Sequence, residues 1–182
     1  MEVATRGLTL KGHHEPKTRT MLSCEPANNE LTKLMKDIEG LSPYWELIGI
    51  KVETVGRDCA VGVINIEDKH LQILGTVHGG VHAALADAMA WVAILSHYYP
   101  QYVTAVTTDL TIKYLKPINQ GVLRAIAMIT YIKEPTALIE IELRNENNEL
   151  VAISTTTYWV TPTNKTIREI INEKSRSIVG KY

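Results

Sequence analysis

Phenylalanine is missing from this chain of 182 residues, and cysteine occurs only twice, at Cys24 and Cys59. Nothing in the pattern explains the first absence. The scarcity of cysteine excludes a disulfide-built scaffold, and the two residues have no metal-type spacing. Read as lone thiols, they fit a reducing compartment. Net charge is nearly lacking too, at -1, which gives no reason to expect nucleic acid or an anionic membrane as the main partner. There is no internal repeat, no low-complexity tract, no glycine-rich phosphate loop and no Gly-x-Ser-x-Gly elbow. Residues 1–20 carry charges throughout and no apolar segment, so no secretory signal is read there and a cytoplasmic location is expected by default.

What is present is ordinary for a globular domain: 45% hydrophobic and 21% charged residues, in a chain long enough to bury one core. The organising stretch is residues 72–97, Q-I-L-G-T-V-H-G-G-V-H-A-A-L-A-D-A-M-A-W-V-A-I-L-S-H. Val81, Ala84, Leu85, Ala88, Val92 and Leu95 recur at helical spacing, and most positions between them are apolar as well. A helix apolar on nearly every side is one that other elements wrap around. It reads as too short and too polar for a membrane span, which needs about 20 clean apolar residues. Within it lies one carboxylate, Asp87. A buried, unpaired carboxylate is costly, so such a residue has a partner or lines a cavity.

Around that helix the pattern is mostly β. Residues 1–27, broken by Gly7, Gly12, Pro16 and Pro26, read as a flexible leader. Asn28 or Asn29 caps a short amphipathic helix with Leu31, Leu34, Met35 and Ile38, stopped by Gly40. Ser42-Pro43 begins another helical turn, and residues 48–66 form a hairpin turning at Gly56-Arg57-Asp58. Pro100 ends the long helix. Four strand-like runs follow, at 103–115, 122–133, 137–144 and 150–160. In the first of them, alternation puts Val106, Leu110, Ile112 and Tyr114 on one face, with Ala105, Thr107, Asp109 and Thr111 on the other. Asparagines at 145–148 make a turn. After Pro162, Thr166 and Glu169 have capping-box spacing for a last helix. The expected organisation is a leader (1–27), one domain (28–161) and a helical C-terminal extension (162–182). Strands grouped around one helix argue for an α+β fold, a curved antiparallel sheet folded round that helix.

Two motifs carry a family resemblance. G-T-V-H-G-G-V-x-x-x-L-A-D at residues 75–87 resembles the signature of hotdog-fold acyl-CoA thioesterases of the phenylacetate-degradation (PaaI-like) type. T-T-D-L-T-I-K-Y-L-K-P at 107–117 resembles the same family's third strand. The likeness spans roughly residues 29–161. It implies a hotdog fold, homodimers that often pair into homotetramers, an acyl-CoA substrate, and active sites at the dimer interface. A carboxylate from one subunit then faces groups of the other. The family has an asparagine three residues before the first motif glycine, where this chain has Gln72. Thr107 stands where the family often has a hydroxyl residue.

Thioester hydrolysis needs an activated water or nucleophile and donors for the oxyanion. The first turn of a helix offers unpaired N–H groups at a positive dipole end. Gly79 is therefore the expected oxyanion donor, with the Gln72 amide as a second, each worth about 3 kcal/mol of barrier. The other reading of Gly79 and Gly80 is close packing of helix against sheet. Asp87 follows Gly79 by eight residues, about 12 Å along the axis. That is too far for one acyl carbon within a single subunit, and it fits a site shared between two. Asp87 then acts as general base or attacks directly, with Thr107 helping to hold the water. His78 has a positioning reading, a general-base reading and a purely structural one. His82 lines an acyl pocket or packs in the core. Lys113 and Lys116 meet coenzyme A phosphates or simply solvate a strand end. His78 and His82 lack an acidic third ligand, so no metal is expected, and no cofactor beyond the coenzyme A of the substrate. Two other functions fit the same fold: a hydratase or dehydratase acting on acyl thioesters, and a non-catalytic acyl-CoA-binding regulator.

Overall fold

A computed structural model describes residues 21–26 and 29–179. Most of the expected leader, residues 1–20 and 27, therefore lies outside the described residues. The order is α1 (Asn29–Glu39), α2 (Pro43–Ile48), β1 (Lys51–Gly56), β2 (Cys59–Asn65), a single 3-10 turn (Asp68–His70), α3 (Gly79–Tyr98), β3 (Gln101–Tyr114), β4 (Val122–Lys133), β5 (Thr136–Arg144), β6 (Leu150–Thr166) and α4 (Ile167–Val179). The six strands form one antiparallel sheet in the order β1-β2-β4-β5-β6-β3.

The helix α3 is the axis of the molecule. Leu85, Ala86, Met89, Ala90, Val92, Ala93, Ile94 and Leu95 are buried. The sheet's inner residues close on it, among them Ile64, Leu123, Ala125, Ala127, Ile139, Ile141, Leu143 and Ala152. The many alanines on both sides let strand backbones approach the helix, as a curled sheet requires. At 20 residues and a mean hydropathy of 1.3, α3 does have the length and composition of a membrane span, contrary to the sequence expectation. Its burial inside the sheet identifies it as the core helix. One stripe stays partly open: Gly80, Ala83, Ala84, Asp87 and Trp91, spaced as neighbours on one helical face.

The strand β3 departs from simple alternation, and the departure matters for the site. Thr107 pairs with Tyr158 and Asp109 with Thr157, leaving Thr108 as an extra residue. A bulge of this kind flips the phase of the side chains that follow it. Ala105 and Thr107 before it, and Leu110, Ile112 and Tyr114 after it, all lie opposite the inward residues of β6. Val106, expected with Leu110, instead lies on the outer face beside Trp159, and is 58% exposed.

Two further expectations change. Cys24 and Cys59 are not lone thiols but a disulfide, with Cα atoms 5.7 Å apart across a separation of 35 residues. Sequence distance hid the pairing, because the segment 21–26 runs back over the β1–β2 hairpin. There Leu22 N–H donates to Glu142, itself bonded to the buried Arg144. The inference of a reducing compartment from unpaired thiols loses its basis. Second, the sheet continues past residue 161 to Thr166. Pro162 is tolerated because β5 stops pairing at Trp159, so the missing N–H faces no neighbouring strand. The capping box then starts α4: Thr166 N–H donates to Glu169, and Glu169 N–H to the Thr166 hydroxyl.

Candidate active site

Asp87 projects from the open stripe of α3, half-buried, towards the inner face of β3 and β6. Its Oδ1 accepts from the Thr107 hydroxyl at 2.8 Å and from the Tyr158 hydroxyl at 2.6 Å. Both partners are neutral hydroxyls, placed side by side by the register that the bulge establishes. Burial, followed by the charge of Asp87, pushes the Tyr158 phenol well above its ordinary range, so it stays a donor.

The carboxylate lies at the junction of two cavities. The inner one, about 260 Å³, is lined by Ile38, Trp45, Ala88, Trp91, Ala105 and Tyr158 together with Asp87 and Thr107. Trp45 and Trp91 meet edge to face with ring centroids 6.0 Å apart. Trp45 is held there by α2, whose N-cap Ser42 accepts from Trp45 N–H and whose C-cap is Gly49 at φ 72°. The outer cavity, about 420 Å³, follows the open stripe from Gly80 past Ala83 and Ala84 to Asp87 and Leu110.

The start of α3 is organised separately. His78 is its N-cap, and the His78 Nδ1 accepts from Gly80 N–H at 2.9 Å. Gly80 N–H is thereby engaged, whereas among the described residues Gly79 N–H has no acceptor. Tyr114 donates to the Gly79 carbonyl, and a Cβ at residue 79 would stand 2.8 Å from its hydroxyl oxygen. The packing reading of Gly79 thus has substance alongside the donor reading. Gln72 Nε2 donates to Thr76 Oγ1, closing the 72–76 loop and using one of its two N–H donors there. His82 is buried edge to face on Tyr114, and burial lowers its pKa below the usual 6.5. A groove of about 350 Å³ joins Gly79, His82, Tyr114, Lys116 and Pro117. Lys116 is paired with Glu149, and Lys113 lies on the outer face of β3, away from both places.

One protomer therefore brings Asp87 and Thr107 together, and groups Gly79, His78, Gly80 and His82 elsewhere. Among the described residues no group of three or more His, Cys, Asp or Glu is placed to hold a metal ion. Sequence reasoning missed Tyr158, Trp45 and Trp91. The signal for Tyr158 was available, since Ala152, Ser154, Thr156 and Tyr158 alternate inward and the tyrosine is the one large polar residue among them.

A curled antiparallel sheet closed over one long helix is the hotdog fold. Residues 74–152 match the family model of the thioesterase superfamily. The chain is similar to a 1,4-dihydroxy-2-naphthoyl-CoA hydrolase from Listeria monocytogenes, 28% identical over 115 residues, covering 63% of this chain and 93% of the relative. It is similar to the phenylacetic acid degradation protein PaaI of Thermus thermophilus in a variant structure, with a TM-score of 0.59 and 29% identity over 65% of this chain and 98% of that one. A Haemophilus influenzae thioesterase shares the fold, with a TM-score of 0.66 at 24% identity, covering 72% of this chain and 90% of that one.

Proposed function

We propose that this protein hydrolyses acyl-CoA thioesters to the free acid and coenzyme A, without a metal or further cofactor. The observation that carries the reading is Asp87: a half-buried carboxylate held by two hydroxyls through one oxygen, at the mouth of an aromatic-walled cavity. The acyl group enters the space between Trp45, Trp91 and Ala88. Asp87 then takes a proton from water as that water attacks the thioester carbonyl, or attacks it directly to give a mixed anhydride. The coenzyme A thiolate leaves and takes up the proton that water gave to Asp87; on the direct route it is protonated from solvent, and water then cleaves the anhydride to release the acid and restore the Asp87 carboxylate. The naming of similar proteins as a naphthoyl-CoA hydrolase and a phenylacetate-pathway protein supports an acyl-CoA substrate.

The oxyanion donor in this scheme is the free Gly79 N–H of a second protomer. Gly79 precedes Asp87 by eight residues on one helix, about 12 Å, beyond the reach of one acyl carbon. The open stripe of α3 beside Asp87 is the surface where the second protomer would pack. Pairing of dimers into tetramers finds support in Val106 and Trp159, opposite one another on the outer sheet face and both more than half exposed.

A steady-state thiol-release assay over short, long and aromatic acyl-CoAs tests the reading. Asp87→Asn, which keeps the shape, should lower kcat by about a thousandfold on whichever thioester is turned over. Undiminished turnover by that variant removes Asp87 as catalyst. Binding without any thiol release would favour the regulator. Sedimentation that finds an active monomer removes the shared site.

A further inference from the structure

We propose that Tyr158 is the positioning residue of Asp87: its hydroxyl, with that of Thr107, pins Oδ1 so that Oδ2 alone is presented to the reacting water. This inference rests on the catalytic reading of Asp87 above and adds a second residue to it. Tyr158 is 3% exposed and stands on the inner face of β6, directly opposite Thr107 on β3. Its oxygen lies 2.6 Å from Asp87 Oδ1 and 2.9 Å from the Asp87 carbonyl oxygen. A phenol has one proton to donate. The shorter contact has the length of a charge-assisted O–H···O⁻ bond, so the carboxylate receives it.

Among the described residues no donor reaches Asp87 Oδ2. Two donors on one oxygen remove the freedom of the carboxylate to rotate about its last bond. Among the described residues lining the two cavities at Asp87, Tyr158 and Tyr44 are the only other ionisable groups, so no cation does this work. A hydroxyl this deeply buried is costly unless bonded, and the side chains of β6 that share its face are alanine, serine, threonine and valine. The tyrosine's length carries its oxygen from the sheet to the helix.

The test compares the parent, Asp87→Asn and Tyr158→Phe in melting temperature, in kcat and KM, and in the pH dependence of kcat. Tyr158→Phe removes one oxygen and keeps the ring. It should fold, lose about tenfold or more in kcat, leave KM within about twofold, and move the acidic limb of the profile to higher pH. A merely structural tyrosine would lower the melting temperature and leave that limb in place, and this result overturns the proposal. If Tyr158→Phe does not fold, 3-fluorotyrosine at the same position provides a more acidic donor of nearly the same shape, and the limb should move to lower pH. An unmoved limb again overturns it. If no acyl-CoA is turned over, NMR titration of the Asp87 carboxyl carbon reads the same shift without a substrate. Loss of activity in Asp87→Asn with an unaffected Tyr158→Phe defeats this inference alone. Full activity in Asp87→Asn defeats the catalytic reading beneath it as well.

Discussion

The first turn of α3 and its ninth residue present two kinds of site on one helix. At the first turn the donors are arranged locally, though Tyr114 of β3 reaches the Gly79 carbonyl: His78 caps Gly80, Gln72 closes on Thr76, and the free N–H follows from helix geometry. At Asp87 nothing is local, because its partners come from β3 and β6, 20 and 71 residues further along the chain. Donor chemistry at a helix start comes with the backbone. An oriented carboxylate has to be assembled by the fold.

The contrast predicts a graded set of effects. The greatest loss is expected at the assembled end, the drop of about a thousandfold in kcat for Asp87→Asn, checked by thiol release with an unchanged melting temperature. Gly79→Ala comes next. The added methyl meets Tyr114, so the first turn must shift, and a loss of about a hundredfold in kcat is expected from the misplaced donor. Recovery when Tyr114→Ala is added would show that space was the requirement at residue 79. Cys24→Ser should leave kcat within about twofold while lowering stability by roughly 3–4 kcal/mol on the loop-entropy view, measured by denaturant unfolding.

Smaller changes belong to the local end. His78→Ala removes the cap acceptor and should cost about 1 kcal/mol of stability. His82 supplies a pH signature. Burial holds its folded pKa below the usual 6.5, so above that value it contributes nothing. As pH falls through the unfolded value the unfolded chain binds the proton first, and stability declines until the folded pKa is passed. The slope from this one group is at most about 1.4 kcal/mol per pH unit. His82→Gln should flatten melting temperature against pH in that window, and an unchanged curve would separate His82 from the effect.

The comparison also explains what could be read in advance. The helix α3, the hairpin at Gly56, the capping box at Thr166 and the turn at residues 145–148 all arise from neighbours in sequence, and all were legible. The Thr108 bulge was not, because a one-residue phase change leaves no mark in an alternating run of threonines. Without it Thr107 and Leu110 fall on opposite faces. The partnership of Tyr158 and the Trp45–Trp91 wall depend on distances between elements far apart in the chain. The bond between Cys24 and Cys59 was misread for the same reason.

By itself the chain of residues determined a long apolar helix opened by His78-Gly79-Gly80, one acid within it, and strands enough to enclose it. These are consequences of hydrophobic period, backbone hydrogen bonding and turn chemistry, which act over a few residues. Only the tertiary structure decided which oxygen of Asp87 is held, by which hydroxyls, and which face of α3 stays open. Strand register and helix placement set those, and both are settled by packing the whole core at once.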